Sequence, residues 1–118
     1  MITFVDKQEM HKMQPQITVI LPFFNVGLEF DRAIQSIVNQ TCKHWEMLLV
    51  NNNGNDKGLE IARKWTEKDS RIKLLEETRQ GIAFALNTGL KRCQTPYVAR
   101  MDADDISHAD RFEKQLDY

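Results

Sequence analysis

The chain has 118 residues, 28% charged and 42% hydrophobic, with 16 Lys and Arg against 17 Asp and Glu for a formal net charge of -1. That hydrophobic share excludes a disordered chain, the length suits one domain with its own core, and intermixed charges leave no basic field for a nucleic acid or an anionic membrane. Cys42 and Cys93, with no CxxC and no Cys/His spacing, argue against a disulfide framework or structural zinc and fit a reducing compartment, and no apolar run approaches the ~20 residues of a membrane span or forms a signal peptide.

Residues 1–16 are polar after Val5 and close on Pro15, so they read as an N-terminal extension ahead of a domain over 17–118. Ile17 to Phe23 is a β-branched, nearly continuous apolar run, as in a parallel strand covered on both faces. Glu29 to Gln40 places Phe30, Ala33, Ile34, Ile37 and Val38 on one helical stripe. A second strand, Trp45 to Val50, stops at Asn51, Asn52, Asn53 and Gly54, residues that tolerate positive φ and bond their own backbone. Asn55 or Asp56 caps a helix with Ile61, Ala62 and Trp65 on one face, before a third strand over Arg71 to Leu75. Glu76 to Gln80 is a polar connection. Gly81 opens a helix with Ile82, Leu86, Leu90 and Cys93 in register, Thr95-Pro96 ends it, and a fourth strand covers Tyr97 to Met101. Ser107 offers an N-cap, with Asp110 in the first turn, for a last helix carrying Phe112 and Leu116. That helix meets no stop signal before Tyr118, so the domain is expected to continue past it. Strands alternating with helices give an α/β protein with an open, doubly wound, Rossmann-like parallel sheet in the order 3-2-1-4.

In such a sheet, ligands bind beyond the carboxyl ends of the strands where the strand order reverses. The reversal falls between Pro22-Phe23-Phe24-Asn25 and Asp102-Ala103-Asp104-Asp105, and these loops should meet. Three carboxylates within four residues after a buried strand repel one another, and a hard divalent cation such as Mg²⁺ or Mn²⁺ relieves that while leaving positions for phosphate. The plainer reading is a set of solvated acids ahead of a helix. There is no GxGxxG after the first strand and no GxxxxGK[ST], so a dinucleotide fold and a P-loop are poorly supported. A receiver domain would need acids where Phe23, Phe24 and Asn25 stand.

The run Val19-Ile20-Leu21-Pro22-Phe23-Phe24-Asn25, the helix segment Ala33-Ile34-Gln35-Ser36-Ile37-Val38-Asn39-Gln40-Thr41, then Gly81 through Ala85, Asn87 and Gly89-Leu90, and finally Ala99 through Asp105 with Arg111 and Lys114-Gln115, resemble the amino-terminal half of family 2 glycosyltransferases of the GT-A fold. The resemblance implies a nucleotide-diphospho-sugar donor, a divalent Mn²⁺ or Mg²⁺, and inverting transfer of the sugar to a hydroxyl acceptor, such as a glycan or lipid-linked glycan. It implies that Pro22, Phe23 and Phe24, with Asn25, line the base pocket, that Asp102 approaches the ribose or sugar, and that Asp104, with Asp102, reaches the metal on the diphosphate. Arg79 and Arg100 are candidates for phosphate contact, and Arg79 is taken with the nucleotide site. The family usually reads Val-Asp-Asp-Gly-Ser after the second strand, whereas this chain reads Val50-Asn51-Asn52-Asn53-Gly54. An Asn amide both donates and accepts, so Asn51 and Asn52 can still meet uracil, or can simply form the turn.

The family's general base lies in its other half, so the catalytic residue is expected beyond residue 118. His44 and His108 read as surface residues, Asp56 as a cap, Asn87 as structural, and Trp65 and Phe84 as core. The expectation is therefore the donor-binding half of an inverting hexosyl transferase for polysaccharide or cell-surface glycans, with a UDP-sugar favoured. Such a protein is cytoplasmic, with peripheral membrane attachment open for its other parts. The exposed fourth strand should promote self-association. A noncatalytic nucleotide-sugar, metal-binding or assembly module is the alternative; a sugar-nucleotide nucleotidyltransferase would need a Gly-rich basic loop after strand one, which is missing.

Overall fold

Strand β1, Ile17–Phe23, sends its alternate residues into two layers, as the two-residue period of a strand requires. Ile17, Val19, Leu21 and Phe23 join one buried cluster, while Ile20 joins a second on the opposite face. The computed structural model describes residues 15–116. Most of the expected extension, and residues 117–118 to which the sequence carries the expected final helix, lie outside them.

After β1 come α1 (Leu28–Val38), β2 (Trp45–Asn51), α2 (Asp56–Lys68), β3 (Ile72–Glu76), α3 (Ile82–Arg92), β4 (Tyr97–Arg100) and α4 (Arg111–Leu116). The sheet is parallel throughout, in the order β3-β2-β1-β4, the open doubly wound arrangement expected. One face is covered by α1, α2 and α4. Phe30, Ala33, Ile34 and Ile37 of α1, Ile61, Ala62 and Trp65 of α2, and Phe112 of α4 pack there. Burying one side chain such as Phe30 or Ile34 stabilises the fold by about 1.5–3 kcal/mol. Trp65 is core, as expected, and its indole N–H donates to Asp31 Oδ1 at 2.8 Å.

The opposite face differs from the sequence expectation. Helix α3 does not bury Ile82 and Leu90, which stay about half exposed; it approaches through Ala85 and Gly89. A Cβ on Gly89 would stand 2.7 Å from Ile20 Cγ2, so the missing side chain is what lets the helix lie this close to β1. Phe84, expected in the core, is exposed, with the Arg79 guanidinium 4.7 Å from its ring centroid. The other correction is at the last helix. Ser107 is not its cap: α4 begins at Arg111, and the Ser107 hydroxyl accepts from Arg111 Nη1 at 3.0 Å. Buried Gln40 serves that end instead, its Oε1 accepting the Phe112 N–H at 3.1 Å while its Nε2 donates to the carbonyl of His108 at 2.6 Å.

Candidate functional site

The carboxyl ends of all four strands meet on one edge because the register is parallel and unbroken. Phe23 is level with Asn51, and Asn51 with Glu76. Beyond the paired residues, the Asn52 N–H donates to the Phe23 carbonyl at 3.0 Å and the Glu77 N–H to that of Asn51 at 2.9 Å. On the other side of β1, Ile20 is level with Arg100, and the Met101 N–H donates to the Ile20 carbonyl at 3.1 Å. Adjacent strands lie ~4.8 Å apart, so the acidic loop starts alongside Pro22.

The Asn-rich turn is an internal fastener. Asn52 is 4% exposed, and its Nδ2 donates to the carbonyls of Glu77 and Arg79, both at 2.8 Å, while its Oδ1 accepts the Gly81 N–H at 2.9 Å. Its side-chain amide thus serves the loop after β3. Asn51 donates to Glu76 Oε2 at 2.8 Å and accepts the Gly54 N–H at 2.6 Å, the Asx-type contact of a turn. Asn53 takes the left-handed backbone, φ 62°, which asparagine tolerates better than most residues. Asn55, rather than Asp56, caps α2, its Oδ1 accepting the Gly58 N–H at 3.3 Å while its Nδ2 donates to the Val26 carbonyl at 2.9 Å.

The loop held by Asn52 has its own brace. Glu77 Oε1 accepts from Arg79 Nη2 at 2.6 Å, from Arg79 Nε at 3.1 Å and from the Thr88 hydroxyl at 2.9 Å, and Oε2 accepts the Arg79 N–H at 3.0 Å. The Arg79 guanidinium, first among these, holds the Glu77 carboxyl down to about 2. Arg79 is therefore engaged with Glu77 and with the Phe84 face, rather than free at the sheet edge. Gly81 follows with φ 135°, open only to glycine at low cost, and turns the chain into α3. Glu77 as the brace escaped the sequence reading, although a Glu two residues before an Arg is visible in the sequence.

Between these elements lies a hollow of about 150 Å³ lined by Pro22, Phe23, Phe24, Asn52, Gln80 and Ile82. It gathers four of the residues expected to meet a nucleotide. Phe24 is 53% exposed and offers its ring, whereas the Phe23 ring turns inward onto Phe30, with centroids 4.6 Å apart. Asn25 is exposed in the same loop. Larger depressions of about 430, 350 and 220 Å³ lie along the side of α2 alone, beside Glu46, Lys73 and Thr95 at the other end of the sheet, and beside Ile17, Tyr97 and Leu116.

Asp102, Asp104 and Asp105 are all exposed. The Asp102 N–H donates to Asp105 Oδ2 at 3.3 Å, and Asp102 Oδ1 accepts from Arg100 Nη2 at 3.4 Å, a solvent-exposed pair of small energetic value. The Asp104 carboxylate has no partner among the described residues. No group of three or more His, Cys, Asp or Glu side chains among the described residues is arranged to hold a metal ion. Mg²⁺ and Mn²⁺ do not need one. Such ions are commonly held by one or two carboxylates plus phosphate oxygens and water, and Asp102 and Asp104 match that donor set. His44 and His108 are exposed, as expected.

No helix among the described residues is long and apolar enough to cross a membrane. The sequence pattern of the family described as Glycosyl transferase family 2 matches residues 18–118. An uncharacterized glycosyltransferase of Haemophilus influenzae is 36% identical over 105 residues, covering 88% of this chain and 42% of the relative. The O-antigen biosynthesis glycosyltransferase WbnJ of Escherichia coli is 36% identical over 105 residues, covering 86% and 41%. This chain thus spans less than half the length of these curated relatives. Among solved structures, the mannosyltransferase PcManGT of Pyrobaculum calidifontis, in complex with GDP-Man and Mn²⁺, superposes with a TM-score of 0.78 at 28% identity, over 87% of this chain and 32% of that one. Residues 1–349 of S. aureus TarS in complex with UDP share the fold, with a TM-score of 0.79 at 21% identity over 86% and 31%.

Proposed function

The chain belongs to glycosyl transferase family 2, and from that premise we propose that it is the donor-binding part of an inverting hexosyl transferase that takes a UDP-sugar and builds a cell-surface polysaccharide. The observation that carries this is the hollow lined by Pro22, Phe24, Asn52 and Gln80 at the carboxyl ends of β1 and β2, with the Asp102 to Asp105 loop leaving β4, the neighbour of β1 on its other side, at the reversal of strand order. The complex of PcManGT with GDP-Man and Mn²⁺ and the O-antigen role in the name of WbnJ support the donor class and the pathway.

In this reading the base lies on the exposed Phe24 ring, whose face suits a flat, polarizable partner. Asp102, an acceptor only when ionised, takes hydrogen bonds from ribose or sugar hydroxyls. Asp104 and Asp102 would hold a divalent cation. Such a cation would supply positive charge to offset the charge that grows on the departing diphosphate. Glu77 and Asn52 keep the loop after β3 rigid, so that the hollow is formed before the donor arrives. The acceptor hydroxyl oxygen bonds to the anomeric carbon on the face opposite the diphosphate, the bond from that carbon to the diphosphate oxygen breaks, and the hydroxyl proton passes to a base that we place outside the described residues. The protein acts in the cytoplasm, with peripheral attachment to the membrane through other parts of a longer protein. Beta strand β4 pairs with β1 on one side only among the described residues and exposes Tyr97 and Val98, so we assign it to self-association of this chain.

Calorimetric titration of UDP in the presence of Mn²⁺ tests the donor site. The wild type should bind UDP in a Mn²⁺-dependent manner, and Asp104→Ala should lose at least tenfold in affinity. Equal binding by the variant would remove Asp104 from the site.

A further inference from the structure

Gln80 lines the hollow beside Phe24, and one hydrogen-bond chain fixes which way its amide faces. Asn53 Nδ2 donates to the Thr78 carbonyl at 3.0 Å and to Gln80 Oε1 at 2.9 Å. A backbone carbonyl only accepts, so the Asn53 atom facing it must be the amide nitrogen. The same nitrogen must then meet an acceptor on Gln80, which is Oε1. Gln80 Nε2 has no partner among the described residues and is left as a pair of N–H donors.

Asn53 is itself held by its left-handed backbone, and the loop carrying Gln80 is pinned by Asn52 through the Arg79 carbonyl and the Gly81 N–H. Both neighbours of Gln80 are therefore fixed. Both N–H donors of the Asn52 side chain, the other amide at the hollow, are used internally, so the free oriented side-chain donor at this wall belongs to Gln80. A donor pairs with a base edge that carries an exocyclic carbonyl, as in uracil or guanine, and is mismatched against the exocyclic amine that cytosine presents in place of the uracil 4-carbonyl.

We propose that Gln80, oriented by Asn53, sets the nucleobase preference of the hollow, selecting a nucleoside diphosphate whose base offers a carbonyl at that edge over one that offers an amine. This rests on the donor-site reading above. The test is calorimetric titration of the full chain with UDP and with CDP in Mn²⁺, for the wild type and for Gln80→Glu. The substitution keeps the shape: one carboxylate oxygen can still accept from Asn53, while the other stands where Nε2 stood, now as an acceptor. Both ligands carry the same diphosphate, so the added charge cancels in the ratio of their affinities. Mismatching one oriented hydrogen bond shifts affinity by roughly tenfold. The wild type should favour UDP over CDP by about that factor, and Gln80→Glu should abolish or reverse the preference. Binding of UDP by the wild type with the same UDP to CDP ratio in both proteins would overturn the role of Gln80 and leave the donor site standing. Failure of the wild type to bind either nucleotide would overturn both.

Discussion

Replacing Asn52 with Asp restores the acid that family 2 usually carries in this turn, yet here it should damage the fold. Asn52 Nδ2 donates to two carbonyls at 2.8 Å, and Oδ1 accepts one N–H at 2.9 Å, with the side chain almost wholly buried. A carboxylate keeps the bond from Gly81 but turns both donated bonds into oxygen facing oxygen. Each hydrogen bond contributes about 1 kcal/mol net, and leaving its acceptor unsatisfied costs about 1–3 kcal/mol, so Asn52→Asp should lose about 2–4 kcal/mol at neutral pH. Urea unfolding followed by the fluorescence of buried Trp45 and Trp65 reads this directly. With a slope of about 1–2 kcal/mol per molar urea, the midpoint should fall by about 2 M. The introduced carboxyl, desolvated and faced by carbonyls, has its pKa raised in the folded state. Its penalty is therefore small below the ordinary carboxylate range and grows as pH rises through the raised value. A loss below about 0.5 kcal/mol at neutral pH, smaller than one net hydrogen bond, would refute the fastener role of Asn52.

Glu77 has the opposite sign. Its carboxyl is held down to about 2 by Arg79 from an ordinary value of 4.5, so its stabilising effect is complete above about 4.5 and is lost as pH falls toward 2. In acid titrations of the folded state, Glu77→Gln should be less stable than the wild type at pH 7, and the gap should close across that window; a gap that stays constant would show that the charge is not what matters. Self-association through β4 should appear in light scattering as an apparent mass rising with concentration, and a Val98→Lys substitution on that exposed edge should suppress it. A monomeric profile at every concentration would remove the edge from the account.

The strands were legible in the sequence because buried parallel strands read as short apolar runs: β1 spans Ile17–Phe23 as expected, and β2 extends the expected run by one residue to Asn51. Helix α3 misled because its packing is set by small residues. Apolar spacing marked Ile82 and Leu90, whereas contact with the sheet needs the missing side chain at Gly89. Ser107 satisfied the sequence rule for a cap, but the amide at the start of α4 is satisfied by Gln40, distant in sequence. The same limit applies at the site. Pro22 and Phe24 could be read from the strand end, but the commitment of Asn52 and Arg79 to internal bonds, and the orientation of Gln80 by Asn53, depend on contacts across 25 or more residues or on loop geometry that no local pattern encodes.

The central claim is that a metal-bound diphosphate spans from the acidic loop to the aromatic hollow, and anomalous diffraction from crystals grown with UDP and Mn²⁺ tests it most directly. The manganese peak should lie in direct coordination with Asp104, alone or with Asp102, and with diphosphate oxygens, while uracil rests against Phe24 with its carbonyl toward Gln80. A manganese peak touching neither carboxylate, or a base lying outside the hollow, would contradict the account.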